Sequence, residues 1–152
     1  MKIERFLLSS TLKTVVAQRL ARRLCENCKQ ETALTEEVIQ GMVAELKDAP
    51  ISVIESELPD LKNIEKPLDS HKAYKAVGCP RCEMTGYSSR VAIAEVIEIN
   101  DKLRQIIDEG KANIDVSTVR QTEDFLSIKQ DGIIKVLQGK TTMEEVLRVI
   151  ES

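Results

Sequence analysis

Two matched cysteine pairs, Cys25-Glu-Asn-Cys28 and Cys79-Pro-Arg-Cys82, hold all four thiols of this chain. A C-x-x-C turn spaces two sulfurs so that they can share one tetrahedral metal ion, and two such turns complete a four-thiolate shell. Thiolates are soft ligands, and four of them leave no coordination position open for catalysis. The chemistry expected of Cys25, Cys28, Cys79 and Cys82 is therefore a structural zinc site. A redox dithiol at Cys79/Cys82 is the alternative, although no βαβ pattern surrounds it.

Other chemical signals are thin. Gly139-Lys140-Thr141-Thr142 imitates the end of a phosphate-binding loop, but the glycine needed five residues earlier is Ile134. Helix punctuation accounts for it instead, with Gly139 ending one helix and Thr141 opening a capping box with Glu144. His71 is the only histidine and reads as a surface-loop residue. The acidic pairs Glu36/Glu37 and Glu144/Glu145 fall in first helical turns, where they complement the helix dipole.

Composition bounds the rest. A chain of 152 residues makes one domain, or one domain with an appendage. Aromatics are 3% and Trp is absent, so Leu, Ile and Val must build the core and base-stacking surfaces are scarce. No apolar run reaches membrane-spanning length, and the amino terminus lacks a secretory apolar region; a cytoplasmic location is expected. In that compartment paired cysteines favour metal over disulfides. Charge is uneven: residues 1–30 hold seven Lys/Arg against Glu4 and Glu26, within a chain of net charge −3. Such a basic face is usually solvated or meets a protein partner, but a stand-alone zinc module binding nucleic acid through it is the second reading.

The positioning elements follow from periodicity. Leu12, Val15, Val16, Leu20 and Leu24 predict a helix from about residue 10 that delivers the chain to Cys25. Thr35 caps a second helix striped by Val38, Ile39, Met42, Val43 and Leu46. Pro50, Pro59 and Pro67 punctuate an irregular insertion within residues 30–72. A short strand over Tyr74–Val77 enters Cys79, and a turn around Gly86 follows. The β-branched run over residues 91–99 predicts a strand mostly buried on both faces. Beyond it the chain reads as helical: one helix capped by Asn100 and ended by Gly110, a short one at Val116–Val119, one from Phe125 to Gly139, and a last one striped by Met143, Val146, Leu147 and Ile150. Gly132 inside a helix pattern predicts close packing or a kink. The fold class expected is α+β, mainly helical. Residues 1–24 form a helix, residues 25–90 a tetracysteine subdomain with short strands and a long insertion, and residues 91–152 a strand with a helical subdomain.

Several strings, taken in order, resemble one family: Phe6-Leu-Leu-Ser-Ser-Thr-Leu12, Val16-Ala-Gln-Arg-Leu-Ala-Arg-Arg-Leu-Cys25, Ala76-Val-Gly-Cys-Pro-Arg-Cys82 with Thr85-Gly-Tyr87, Arg90-Val-Ala-Ile-Ala-Glu-Val96, Gln130-Asp-Gly132 and Gly139-Lys-Thr-Thr-Met-Glu-Glu-Val-Leu-Arg-Val149. The chain resembles the carboxy-terminal part of the hexameric ATPases of type II secretion and type IV pilus assembly. The resemblance implies that the four cysteines bind structural zinc. It implies neighbouring motor subunits and inner-membrane platform proteins as partners, with no nucleic acid. It also implies that the nucleotide-binding Walker segments precede Met1, so that ATP belongs to a longer parent and this piece is not itself an enzyme. Phe6, Leu7 and Leu8 would then present an apolar surface that the parent covers.

Overall fold

A computed structural model describes residues 5–59, 73–110 and 114–151. His71 and Pro67 lie outside the described residues. The longest elements are two strands, β1 (Thr14–Leu24) and β4 (Tyr87–Glu98), which form an antiparallel ribbon. Its ladder runs from Thr14↔Glu98 to Arg22↔Arg90, and a register shift precedes Leu24↔Tyr87. A second ribbon pairs β2 (Gln30–Thr32) with β3 (Ala73–Lys75). Seven helices are present among the described residues: α1 (Arg5–Thr11), α2 (Glu36–Leu46), α3 (Ile51–Glu57), α4 (Asp101–Asp108), α5 (Val116–Arg120), α6 (Ile128–Leu137) and α7 (Met143–Ile150). The architecture is α+β. Among the described residues no helix is long and apolar enough to cross a membrane.

The helix expected from residue 10 is corrected. Residues 5–11 are helical, but Thr14–Leu24 is a strand. Ala17, Gln18, Leu20 and the arginines favour a helix locally. Pairing with the β-branched run on β4 outweighs that preference, and Thr14, Val15 and Val16 suit a pleated surface. The reading of residues 91–99 as buried on both faces is also corrected. Ile93 and Ile99 are buried, whereas Val96 is 52% exposed opposite the equally open Val16. The helices cover one face of a two-stranded ribbon, where Ala21, Ile93 and Val149 pack together, and leave the other open. The division expected after residue 90 falls inside β4. Leu7 is exposed, as the amino-terminal apolar string suggests.

Other elements follow their sequence signals. The Thr35 hydroxyl accepts the Val38 N–H at the start of α2, and the Asn100 side chain accepts the Leu103 N–H at the start of α4. Within the insertion lies α3, whose Ile54 enters the core with Met42 and Leu46 of α2 and Ile133, Val136 and Val146 of α6 and α7. Each such buried aliphatic side chain contributes roughly 1.5–3 kcal/mol. Phe125 lies outside α6 and packs instead with Ile99, Leu103 and Val119. α6 begins at Ser127, whose hydroxyl accepts the Gln130 N–H while the Gln130 side chain accepts the Ser127 N–H.

The string Gln130-Asp131-Gly132 joins three elements. Gln130 is buried and donates from Nε2 to the Glu45 carbonyl of α2 at 2.8 Å. The Asp131 carboxylate accepts the Ala94 N–H of β4 at 2.7 Å. Gly132 lets α7 approach, because a Cβ there would lie 2.5 Å from Val146 Cγ1. Of the two expectations for Gly132, close packing is therefore the one observed. Val146 is fully buried and β-branched, so it cannot turn aside. Gly132→Ala is expected to destabilise the chain by about 1–3 kcal/mol, despite the roughly 1 kcal/mol gain in helix propensity. Urea unfolding of the variant checks this; a more stable variant would contradict the packing account.

Candidate metal centre

β1 ends where the site begins. The Cys25 N–H donates to the Gly86 carbonyl at 3.0 Å, placing the first cysteine turn against the loop that leads into β4. The Cys28 and Lys29 N–H groups return to the Cys25 carbonyl at 3.2 and 2.9 Å and close that turn. The second turn is a short 3-10 segment, Pro80–Cys82. Pro80 stands at its first position, where a missing N–H costs nothing. Cys82 and Met84 donate to the Cys79 carbonyl at 3.1 and 3.0 Å. Glu83 and Met84 then adopt left-handed backbone at φ 53 and 62, a costly conformation for non-glycine residues.

The β2–β3 ribbon brings the two turns together. Gln30↔Lys75 and Thr32↔Ala73 pair the strand just after Cys28 with the strand just before Cys79. Arg81 on the second turn donates to the Asn27 Oδ1 on the first at 3.1 Å. All four Sγ atoms consequently lie within 4.8 Å of one another. Cys25–Cys79, Cys28–Cys82 and Cys79–Cys82 are separated by 3.9, 3.8 and 3.7 Å. Metal–sulfur bonds of about 2.3 Å at tetrahedral angles require sulfurs about 3.8 Å apart. A disulfide requires about 2.05 Å, and all four cysteines are free thiols. The donor set and its spacing fit zinc.

The surroundings favour charged sulfur. The N–H groups of Cys79 and Gly86 both donate to Cys82 Sγ at 3.2 Å. Gly86 can aim its N–H this way because it sits at φ 78, and a Cβ there would lie 2.6 Å from Ala76 Cβ. Burial opposes ionisation of Cys82, but these two donors and the thiols of Cys79 and Cys28 outweigh it and bring the group down to about 6. Burial pushes the Cys28 thiol up to about 12, and the thiols of Cys82, Cys25 and Cys79 add to the rise although a Gly78 N–H opposes it. The two backbone donors at Cys82 favour charged sulfur, burial at Cys28 opposes it, and a bound cation displaces the remaining thiol protons of such a cluster.

A polar frame ties the site to the α6–α7 corner. Lys29 lies over the Tyr74 ring at 4.8 Å, donates to the Gly139 carbonyl at 3.1 Å and pairs with Glu26 at 2.6 Å. The Leu24 N–H donates to the Lys140 carbonyl at 2.9 Å. Gly139-Lys140-Thr141-Thr142 is the link between α6 and α7, as its punctuation implies, but the capping box assigned to Thr141 and Glu144 is corrected by one residue. Thr142 caps α7, accepting the Glu145 N–H, while Thr141 is fully buried and donates to the Arg22 carbonyl at 2.8 Å. Thr141 is thereby bonded to the backbone of β1 instead of to α7.

Glu145 is the residue whose role sequence reasoning missed. Only 3% of its side chain is exposed, and it pairs with Arg22 at 2.5 Å and Arg148 at 2.7 Å. Its oxygen also accepts the Arg22 backbone N–H. Burial pushes its carboxyl up, but hydrogen bonds from Arg22 and Arg148 outweigh this and hold it at about 2. Arg23, next along β1, is also engaged, pairing with Glu26 at 3.3 Å.

The model of the family described as "Type II/IV secretion system protein" matches residues 1–148. The chain is 35% identical over 152 residues to the type IV pilus assembly ATPase PilB of Thermus thermophilus, covering 99% of the chain and 15% of that relative. It is 36% identical to the type II secretion system protein E of Aeromonas hydrophila, over 98% of the chain and 25% of the relative. The type II secretion system ATPase E of Vibrio cholerae is likewise 36% identical, with 98% and 25% covered. The chain thus spans a quarter or less of the length of these relatives. With the family model matched along almost its entire length, the chain belongs to the type II/IV secretion system protein family.

Proposed function

We propose that this chain is the zinc-bearing carboxy-terminal domain of a secretion or pilus assembly ATPase, with a structural and assembly role and no nucleotide hydrolysis of its own. The observation that carries the proposal is the tetrahedral spacing of four sulfurs within a chain of this family. Cys25, Cys28, Cys79 and Cys82 hold the ion. It supplies charge and cross-linking, and a closed four-sulfur shell gives it no substrate position. Residues 1–24 belong to the ATPase core of the parent, the zinc subdomain is built on the four cysteines, and β4 carries the chain from it into the carboxy-terminal subdomain. Neighbouring subunits of a hexameric motor and platform proteins at the cytoplasmic face of the inner membrane are the partners.

Two features speak against a catalytic role, the first against hydrolysis and the second against redox chemistry. The Gly139–Thr142 segment is occupied by helix punctuation, with its Lys140 carbonyl and Thr141 hydroxyl bonded to β1. The four thiols lie together, which leaves no separate redox dithiol at Cys79/Cys82. ATP turnover of the purified chain is expected to be at background and unchanged by Lys140→Ala. Turnover above background that Lys140→Ala abolishes would overturn this reading.

A further inference from the structure

Three arginines from three elements converge on one cavity, and only two of them share a carboxylate. Leu20 and Arg22 of β1, Arg90 of β4 and Arg148 of α7 line a cavity of about 470 Å³. Arg22 and Arg90 are direct cross-strand partners, which is an unfavourable placement for like charges. Glu145 answers Arg22 and Arg148, but its acceptor sites are filled. Oε1 accepts from Arg22 Nη2 and Arg148 Nε, and Oε2 accepts from the Arg22 N–H and Arg148 Nη2. Among the described residues no carboxylate pairs with Arg90. Three guanidinium groups against one carboxylate leave two positive charges on the cavity wall.

We propose that this cavity binds a phosphate dianion, either free or as a phosphomonoester headgroup, with Arg90 as its principal ligand. The charge matches: a dianion neutralises what Glu145 leaves over. The geometry is prepared, because Arg22 is held by Glu145 on one side and by the Tyr87 ring, 4.2 Å away, on the other. Arg148 is fixed by its two bonds to Glu145. A planar guanidinium presents paired donors to phosphate oxygens, and groups already fixed lose little freedom on binding. Arg90 is exposed and uncommitted, so it closes on the ligand from the opposite strand. The bound anion also relieves the Arg22–Arg90 repulsion.

The test uses the purified chain at constant ionic strength. Inorganic phosphate is titrated against chloride and followed by phosphorus NMR line broadening and by thermal shift. In parallel, the chain is sedimented with phosphatidylcholine vesicles containing phosphatidic acid or, as a diester control, phosphatidylglycerol. Phosphate is expected to bind and raise the melting midpoint. Arg90→Gln should lower its affinity about tenfold or more, and Lys102→Gln, an exposed charge loss on α4, should not. Binding only to phosphatidic acid vesicles, lost in Arg90→Gln, identifies the headgroup as the source. Absence of both forms of binding overturns the proposal. So does binding that Arg90→Gln leaves intact or that Lys102→Gln weakens equally. Arg90→Lys keeps the charge without the fork, and its intermediate affinity is the control for a misfolded glutamine variant.

Discussion

Cys82→Ser is expected to lose zinc completely and to lower the melting midpoint by roughly 10 °C. The first effect follows from ligand chemistry, since a serine hydroxyl does not replace a thiolate at a soft four-sulfur site. Cys82 is also the sulfur most dependent on its surroundings, because it alone accepts both the Cys79 and the Gly86 N–H groups. The second effect follows from the chain between the pairs. Cys25 and Cys79 are 54 residues apart, and a cross-link closing a loop of that size removes about 4 kcal/mol of chain entropy from the unfolded state. The three-residue pairing of β2 with β3 is a weak substitute. At this chain length each kcal/mol moves the midpoint by about 2–4 °C. Zinc per chain by elemental analysis and the midpoint with and without chelator measure the two effects. Wild-type protein that contains no zinc, titrates four thiols freely and melts at the same temperature as Cys82→Ser would remove the metal centre.

The meeting of the four cysteines was legible in the sequence because C-x-x-C spacing carries its geometry locally. The support around it was not. Cys82 owes its low ionisation range to backbone N–H groups, whose direction no residue type reveals. β1 was misread for a related reason. Its apolar residues fit a helical stripe as well as a strand, and the deciding partner on β4 lies about 75 residues away in the chain. Strand pairing also decided the Thr141/Thr142 question, where two neighbouring hydroxyls could each cap α7 and β1 claimed one of them. The caps at Thr35 and Asn100 were legible because nothing distant competes for them. Glu145 read only as a dipole-complementing residue for the same reason that β1 read as a helix: its arginine partner at position 22 comes from the strand.

Glu145 accordingly carries the second large expectation. Glu145→Ala should destabilise the chain by about 3 kcal/mol at pH 7, because it strands Arg22 and Arg148 together and leaves the Arg22 N–H without its acceptor. The loss should depend on pH in a defined direction. The carboxyl is held at about 2 in the folded chain, against about 4.3 when unfolded. A lowered folded value means that the unfolded chain takes up the proton first. The stabilisation is therefore complete above about pH 5 and fades as pH falls toward 2. Urea unfolding of wild type and Glu145→Ala at pH 7 and pH 3 should show the gap between them falling by roughly half. Acid protonation of the four cysteines, and the loss of a metal held by them, would occur in both proteins and cancel from the difference. A gap of equal size at both pH values would mean that the Ala variant loses packing rather than charge. Glu145→Gln separates the two: it keeps the side-chain volume and one acceptor, so it should recover the packing but none of the pH dependence.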